Sequence, residues 1–411
     1  GEDFVYAGKV GTGFNAEAGR ALLARLQGLE RAEAAFAHVP SAGRRGAHWV
    51  APNLVCEIEF LAWTEDGLLR HPSFQGLRED KPAEAVVRER PADIPAPAAR
   101  RRSAAPAAAR PDGAVAVAGA RLTSPDKVLW PEAGLTKRGL AEYYEAVAGL
   151  MLPHIAGRAL SVIRCPAGRT KACFFQRHAA SGLPAGVRGV PLAGENGAVK
   201  PHLVVEDVIG LVGLVQIGVL EVHPWGSRAE DAEHPDRMVF DLDPAPDVPW
   251  ERVREAALMV RDRLDGLGLR SFCKTTGGKG LHVVVPLRPE RPWPDLHAFA
   301  KAFAARLEAE APDRFLDTAA KGERGGRIYL DWLRNERGAS AVAPYSTRAK
   351  PGAPVATPLA WDEVPALEAG RFDVARVLER VRAKGFQDPW VGFDAVDQAL
   401  NDDLLRAVAA E

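Results

Sequence analysis

The sequence has few cysteines, and their spacing does not match a paired cysteine motif. Only four are present, Cys56, Cys165, Cys173 and Cys273, and none forms a Cys-x-x-Cys motif. Because disulfide frameworks and thiolate zinc sites are marked by closely spaced, paired cysteines, the spacing favours neither. We expect reduced thiols, as in a cytosolic protein.

Long apolar runs and an excess of positive charge are missing as well. No apolar run reaches the roughly 20 residues that a transmembrane helix needs, so we expect no membrane partner. Lys and Arg number 53 against 54 Asp and Glu, for a net charge of −1. The molecule is therefore not a polycation, and any nucleic-acid site must be a local basic patch.

Composition divides the 411-residue chain into three predicted parts. Residues 88–113 are mainly Pro, Ala and Arg with almost no large apolar side chains, which is typical of a linker. Residues 1–87 alternate apolar and polar positions around one helical stretch and predict a small β-barrel. Residues 114–411 mix strand and helix patterns, which predicts a larger α+β domain. Since the chain starts at Gly1 within strand-like sequence, we expect it to be a fragment of a longer protein.

Two aspartates end a predicted strand in "RMVFDLDPAP". Asp241 and Asp243 are two residues apart, so both project from one face of the strand and Leu242 projects from the other. Neighbouring carboxylates repel each other unless a cation lies between them, and Mg²⁺ or Mn²⁺ fills that role together with substrate phosphates. The alternative is a pair of capping side chains where Asp243-Pro244 begins a turn. On this stretch alone the two interpretations are equally supported.

The stretch "KTTGGKGLH", residues 274–282, predicts a tight turn between two strands. Exposed N–H groups in a glycine turn beside lysines favour phosphate. The stretch is not a Walker A loop, because Gly280 follows Lys279 where Ser or Thr is needed, and it is not GxGxxG. We expect Lys279 to hold a phosphate as a point charge and His282 to hydrogen-bond a phosphate or a sugar hydroxyl. A surface hairpin with an incidental histidine is the alternative.

A third carboxylate, Asp331, interrupts the apolar strand pattern "RIYLDWL". A buried carboxylate without a partner is costly, and binding a metal is one reason for its presence. Arginines 334, 337 and 348 follow, and arginine clusters suit polyphosphates, although a surface with ordinary ion pairs would look the same. Together, three carboxylates, a glycine turn and arginines supply what two-metal phosphoryl transfer needs.

Two further stretches indicate nucleic acid. In "CFFQRH", Phe174 and Phe175 face opposite sides of a strand, so one can stack on a base while the other packs inward. Two core phenylalanines are the alternative. Lys127 precedes Lys137 by ten positions, and Lys137 begins a helix that Thr136 can cap, where backbone N–H groups favour an anion. Two solvated lysines are the alternative there.

In combination these stretches resemble the polymerase module of bacterial DNA ligase D, in the archaeo-eukaryotic primase superfamily. The resemblance covers about residues 122–361 and rests on "SPDKVLWP", "RALSVIRCP", "CFFQRH", "EVHPWGS", "HPDRMVFDLDPAP", "KTTGGKGLH" and "YLDWLRNERGASAVAPYSTR". It implies a primase-type catalytic domain with a central, mainly antiparallel sheet flanked by helices. Residues 1–87 resemble the C-terminal OB-fold part of the ATP-dependent ligase module of the same protein.

The resemblance implies a role for each matching position. Two divalent ions, Mn²⁺ or Mg²⁺, would be bound by Asp241, Asp243 and Asp331. The incoming nucleotide would be held by Thr276, Lys279, His282, Arg324, Arg334 and Arg348. The template would meet Phe174 and Phe175, and the 5′-phosphate of the downstream strand would meet Lys127 and Lys137. Thr276 stands where the family pattern has serine, and it keeps the hydroxyl.

The implied activity is template-dependent addition of nucleotides, preferentially ribonucleotides, to DNA 3′ ends during gap filling in non-homologous end joining. The expected partners are gapped, overhanging or broken DNA, NTP or dNTP, and bacterial Ku, in the cytoplasm at the bacterial nucleoid. Ligase activity is not expected, because the sequence holds no "KxDG" adenylylation motif. Two alternatives stay open: a metal-dependent glycosyl- or other nucleotidyl-transferase that uses the Asp-x-Asp pair, and a non-catalytic module that bridges DNA ends.

Overall fold

The computed structural model describes residues 4–10, 16–35, 47–59, 62–63, 68–70, 73–78, 113–180, 182–194, 197–318 and 325–409. Contacts divide the chain into two units, Gly1–Ala108 and Ala109–Glu411. Of the predicted linker, 88–113, only Gly113 belongs to the described residues. The domain boundaries drawn from composition therefore stay predictions.

The described part of the first unit consists of one helix and three strand pairs. Helix α1 spans Ala16–Gln27. The antiparallel pairs are β1 (Glu30–Arg31) with β2 (Trp49–Val50), β3 (Val55–Glu59) with β6 (Ser73–Arg78), and β4 (Ala62–Trp63) with β5 (Leu69–Arg70). Within these ranges the strands pair two by two, and parts of the expected OB-type barrel lie outside the described residues.

The second unit opens with two short hairpins and a long helix. The hairpins are β7 (Val115–Val117) with β8 (Ala120–Leu122), and β9 (Val128–Trp130) with β10 (Leu135–Thr136). Helix α2 spans Lys137–Ile155, and the hydroxyl of Thr136 caps it by accepting from the Gly139 N–H at 3.1 Å. The predicted cap is confirmed, and Leu140, Tyr144, Val147 and Met151 are among the buried residues of the helix.

A five-stranded antiparallel sheet follows. Its strands are β11 (Leu160–Arg164), β12 (Phe174–Gln176), β13 (Val187–Ala193), β14 (Val199–Val205) and β15 (Val219–Pro224). The order is β12-β11-β14-β13, and β15 pairs with β11. Helix α3 (Val208–Gln216) begins where the Asp207 carboxylate accepts from the Gly210 N–H at 2.8 Å, and it packs against α2.

A second sheet has six strands in the order β19-β20-β16-β18-β17-β21. They are β16 (Arg237–Pro244), β17 (Phe272–Thr275), β18 (Leu281–Pro286), β19 (Phe315–Leu316), β20 (Ile328–Asp331) and β21 (Pro358–Leu359). Only the β19–β20 pair is parallel. The predicted class, a mainly antiparallel α+β domain, is confirmed, and the structure adds that the described strands form two larger sheets besides the two short hairpins.

The two faces of this sheet are unequal. One face carries Phe240, Leu242 and Val283 into the main core, which also contains residues of α4 (Trp250–Gly266) and α5 (Trp293–Glu310). The other face carries Val239, Phe272 and Val284, which pack against Trp390 and Phe393 from the C-terminal segment. Helices α6 (Val374–Arg382) and α7 (Asp402–Ala409) lie in that segment. Beyond the small apolar cluster, this second face becomes polar.

One expectation about cysteine is wrong. Cys165 and Cys173 form a disulfide with their Cα atoms 4.3 Å apart, whereas Cys56 and Cys273 are free. The reason lies in strand pairing, because Arg164 at the end of β11 is the register partner of Phe174 at the start of β12. The next residues outward along the two antiparallel strands are these two cysteines, and such a cross-strand pair lies within bonding range.

Asn335 continues the edge of β16 where β20 stops pairing with it. The side chain of Asn335 is buried; its Oδ1 accepts from the Val239 N–H at 2.7 Å, and its Nδ2 donates to Val239 O at 2.8 Å. Strand β20 pairs with β16 only from Asp241 onward. One amide side chain therefore satisfies both backbone groups of Val239.

We predict that Asn335→Ala lowers the free energy of unfolding by about 2–6 kcal/mol, because two buried backbone groups lose their partners at about 1–3 kcal/mol each. Chemical denaturation at pH 7 measures the change. Asn401→Ala is the matched control, since it removes only an exposed cap on the Leu404 N–H and should cost about 1 kcal/mol. An equal loss in the two variants would contradict the structural role of Asn335.

Candidate functional site

Four polar residues cross the six-stranded sheet in one line, which we name the register row. Asp331 in β20 lies opposite Asp241 in β16, Asp241 lies opposite His282 in β18, and His282 lies opposite Lys274 in β17. Directly opposed residues of neighbouring strands project from the same face. The register row therefore forms the polar part of the second face of the sheet. It lies next to the apolar cluster of Val239, Val284 and Phe272.

The three predicted aspartates come together on this face, each beside a basic side chain. Asp331 Oδ2 is 2.9 Å from Arg334 Nη2, which is also 3.7 Å from Asp241 Oδ2. Asp243 follows Asp241 on the same face, and its Oδ1 is 3.3 Å from Lys279 Nζ. Leu242 between them is fully buried in the main core, as the strand period predicts.

The two opposed carboxylates differ in acidity. Burial would raise the pKa of Asp241, but His282, Arg334 and Lys274 outweigh it and lower that pKa to about 2. Burial raises the pKa of Asp331, Arg334 opposes the rise, and the negative charge of Asp241 adds to it. The Asp241–Asp331 pair thus carries repulsion that the protein's own cations do not fully remove, and a bound cation would relieve it.

His282 and Lys274 are buried members of the register row. Burial lowers the pKa of His282 to about 4, and the charge of Lys274 adds to the effect. The imidazole is therefore neutral at pH 7, and its Nε2 lies 3.4 Å from Asp241 Oδ1. Burial also lowers the pKa of Lys274 to about 7. Among the described residues, His282 Nδ1 and Lys274 Nζ have no hydrogen-bond partner.

The donor chemistry fits a divalent cation, although not as a complete cage. Carboxylate oxygens are the donors that Mg²⁺ and Mn²⁺ prefer. Across the described ranges, however, no group of three or more His, Cys, Asp or Glu side chains is arranged to enclose an ion. Since Mg²⁺ is usually held by one or two carboxylates plus substrate phosphates, the aspartates fit an ion site that a substrate completes.

The glycine turn, residues 276–280, is shaped by its surroundings. Gly277 has a left-handed φ of +64°, and a Cβ there would lie 2.7 Å from Arg348 Cγ. A Cβ on Gly280 would lie 2.2 Å from Leu242 O, so only glycine lets the turn approach β16. The buried Thr276 hydroxyl donates to Gly280 O at 3.1 Å and accepts from the Gly278 N–H at 3.2 Å. In this structure, Thr276 closes the turn.

A buried glutamate that the sequence reasoning missed holds Arg348 at this turn. Glu221 Oε2 accepts from Arg348 Nε at 2.8 Å and lies 2.9 Å from His223 Nε2, while Oε1 accepts from the Ala349 N–H at 2.7 Å. Arg348 Nη1 donates to Thr276 O. The signal was present in the sequence, because Glu221 interrupts an apolar strand as Asp331 does.

The two lysines predicted to bind a phosphate differ in exposure. Lys127 is exposed, and its Nζ donates to Pro166 O. Lys137 is buried, and its Nζ donates to Thr123 O and Gln216 Oε1 at 2.9 Å each. Burial lowers the pKa of Lys137, and the nearby charge of Lys127 adds to the effect. The predicted helix start is confirmed, but the Lys137 side chain points inward at that start.

The two phenylalanines of β12 lie beside arginines. Phe175 has 44% of its surface exposed, and the Arg177 guanidinium is 5.3 Å from its ring centroid. Phe174 is half-buried, with the Arg164 guanidinium 5.2 Å from its ring centroid. The unequal exposure agrees with the expected opposite orientations. Arg324, a predicted nucleotide-binding residue, lies outside the described residues.

Within the described ranges, no helix is long and apolar enough to cross a membrane.

Family models match two regions of the chain. The model described as LigD, primase-polymerase domain matches residues 136–390. The model described as ATP dependent DNA ligase C terminal region matches residues 1–81. The first match lies within the predicted larger domain, residues 114–411, and the second within the predicted smaller one, residues 1–87.

Curated relatives and a solved structure give the same result. The multifunctional non-homologous end joining protein LigD of Pseudomonas aeruginosa is 38% identical over 403 residues, 98% of this chain and 47% of that protein. The protein of the same description from Mycolicibacterium smegmatis is 36% identical over 269 residues, 64% of this chain and 35% of that protein. The polymerase domain of Mycobacterium tuberculosis ligase D, solved in complex with DNA, matches with a TM-score of 0.61 at 33% identity, over 67% of this chain and 97% of that chain. The chain thus spans less than half the length of these two curated relatives.

The Glu221 carboxylate makes stability depend on pH. Burial would raise its pKa, but the hydrogen bond with His223 and the charge of Arg348 lower it to about 2. Because this value lies below that of an unfolded chain, the stabilisation is complete above about pH 4.5 and is lost as pH falls towards 2.

We predict that Glu221→Gln loses on the order of 3 kcal/mol of unfolding free energy at pH 7. The gap to wild type should narrow as pH falls from about 4.5 towards 2. Denaturation at a series of pH values measures the gap, with the exposed Glu379→Gln as control. If the difference in unfolding free energy between wild type and Glu221→Gln stayed constant over the pH series, the ionised Glu221 carboxylate would not be the cause of that difference.

Proposed function

Through residues 136–390 the chain belongs to the LigD primase-polymerase family, and on that premise we propose that it is a template-dependent nucleotidyltransferase. It adds nucleotides, preferentially ribonucleotides, to DNA 3′ ends during gap filling in non-homologous end joining. The observation that carries the proposal is the opposition of Asp241 and Asp331 across two strands, with Asp243 on the same face. None of the described contacts favours a glycosyltransferase or a non-catalytic bridging module.

In this proposal Asp241, Asp243 and Asp331 hold two divalent ions, Mn²⁺ or Mg²⁺. Bound ions would supply charge neutralisation on the triphosphate and acidify the primer 3′-hydroxyl. The low pKa of Asp241 keeps it ionised and ready to bind at neutral pH. Arg334, which contacts both opposed carboxylates, keeps them in place and balances their charge.

The incoming nucleotide lies against the glycine turn in this proposal. Lys279, Arg334 and Arg348 supply positive charge to the triphosphate, and Arg324 is assigned with them from the sequence. His282 is neutral at pH 7, so it contributes a hydrogen bond and no charge. Thr276 acts by holding the turn, since its hydroxyl bonds to Gly280 O. Positioning and charge neutralisation therefore perform most of the catalytic work.

The DNA contacts lie on the five-stranded sheet and the first hairpins. Phe175, exposed beside Arg177, offers a stacking surface for a template base, with Phe174 beneath Arg164 as its inner neighbour. Lys127 binds the 5′-phosphate of the downstream strand. Lys137, which is buried near Lys127, adds positive charge to the same phosphate site. Gapped or broken DNA, NTP or dNTP, and bacterial Ku are the proposed partners, in the bacterial cytoplasm. Without a "KxDG" motif, the chain is not expected to seal nicks.

We expect Asp241→Asn and Asp331→Asn to lower primer extension about 100-fold or more, because each removes charge from the proposed metal site. The assay is extension of a 5′-phosphorylated gapped duplex with NTP or dNTP and with Mn²⁺ or Mg²⁺. Asp262→Asn, an exposed aspartate that pairs with Arg261, is the control and should extend as wild type does. Wild-type rates in both site variants would show that the register row is not the metal site.

We expect Lys127→Ala to reduce the preference for a 5′-phosphorylated over an unphosphorylated gap about three- to tenfold, without abolishing extension. The loss of one phosphate contact should also reduce the salt dependence of DNA affinity by about one unit of slope. Fluorescence anisotropy with the two duplexes measures both quantities. Lys301→Ala is the control, because it removes one exposed lysine charge from α5, where Lys301 lies over the Trp332 ring and has no assigned DNA contact. An unchanged preference would remove Lys127 from the phosphate site.

A further inference from the structure

A cation without an assigned role lies on the glycine turn. Lys350 follows Arg348 by two residues, and a Cβ built on Gly278 would lie 2.6 Å from Lys350 Nζ and 3.9 Å from its Cε. The ammonium group therefore occupies the space that a side chain at position 278 would need.

The surroundings of Gly278 differ from those of the other two glycines of the turn, Gly277 and Gly280. Gly277 has a left-handed φ, and Gly280 approaches the Leu242 carbonyl, but Gly278 has no left-handed φ. Of the three heavy atoms nearest to the added Cβ, two belong to Lys350 and the third is the Thr276 hydroxyl oxygen at 3.3 Å. A Cβ at position 278 would therefore displace the Lys350 ammonium group, which is the flexible end of its side chain.

The backbone of Lys350 is held without any contribution from its side chain. Its N–H donates to Arg348 O at 2.7 Å, and its carbonyl accepts from Trp130 Nε1 at 3.0 Å. Among the described residues, Lys350 Nζ makes no hydrogen bond and no ion pair. The ammonium group is therefore available to a ligand.

Positive charge is concentrated around this turn. Burial of the ammonium group lowers the pKa of Lys350, and the charge of Arg348 adds to the effect, with a smaller addition from Lys279. Glu221 and Asp241 oppose the shift without cancelling it. Several cations beside a turn of exposed N–H groups repel one another, and a bound polyanion would remove that repulsion.

We propose that Lys350 is a phosphate-binding residue of the nucleotide site and holds the triphosphate of the incoming nucleotide together with Lys279 and Arg348. The inference rests on the proposed polymerase function. A triphosphate is favoured over a single phosphate, because three cations from two chain segments surround the turn, and each can meet a different phosphate group.

Lys350→Met tests the inference, because it removes the charge and keeps the aliphatic stem. We expect KM for NTP to rise about tenfold or more, the scale of a lost charged hydrogen bond. The kcat should stay within about threefold of wild type, as it does when ground-state and transition-state binding are lost equally. Equilibrium titration should show weaker NTP binding and unchanged binding of the nucleoside monophosphate. Equal KM and equal NTP affinity in the variant and wild type would overturn the inference.

A double-mutant cycle separates this role from a structural one. Gly278→Ala should raise KM for NTP by displacing the ammonium group, since the backbone there accepts alanine. In the Lys350→Met background, the same change should add less than about twofold, because the displaced group is already absent. Fully additive effects would show that Gly278 acts independently of Lys350 and would contradict the proposed geometry.

Two controls keep the outcomes distinct. Lys384→Met, at an exposed lysine outside the site, should match wild type in KM and NTP affinity. Thermal unfolding should give equal midpoints for wild type and Lys350→Met. If wild type itself fails to extend a gapped duplex, the proposed polymerase function fails. If wild type extends and Lys350→Met binds and uses NTP as well as wild type does, only the role of Lys350 fails.

Discussion

The register of β16 between β18 and β20 is the constraint on which the rest of the site depends. A slip of one residue would turn Asp241 and Asp243 into the core and Leu242 into the site, because successive side chains of a strand alternate between faces. Burial of Phe240 and Leu242 on the opposite face resists such a slip. The Asn335 side chain, bonded to both backbone groups of Val239, stabilises the same strand two residues before Asp241.

Acidic and basic side chains lie close together around this strand, and ion pairs between them hold both in position. Arg334 bridges the opposed Asp241 and Asp331, and the buried Glu221 orients Arg348 towards the glycine turn. A buried charge without a partner would cost several kcal/mol or would lose its ionisation. This pairing explains how so many charged side chains can lie close together in a folded protein, and why a few buried residues control their arrangement.

The glycine turn illustrates how one short motif serves several purposes. Gly277 supplies a left-handed φ, Gly280 permits close approach to β16, and Gly278 leaves room for Lys350. Thr276 holds the turn closed from within. A sequence motif of this kind encodes the shape of a turn, and the residues that lie against it, Arg348 and Lys350, come from a distant part of the chain.

Local sequence patterns were sufficient to predict those features that depend only on neighbouring residues. The two-residue period placed Asp241 and Asp243 on one face, and the Thr136 cap and the glycine turn could be read from adjacent residues. Only the tertiary structure decided which strands lie opposite one another. It joined Cys165 to Cys173, turned Lys137 inward to Thr123, and brought Glu221 and Lys350 to the site. The reason is that backbone periodicity sets the direction of a side chain, whereas packing between distant segments sets what that side chain meets.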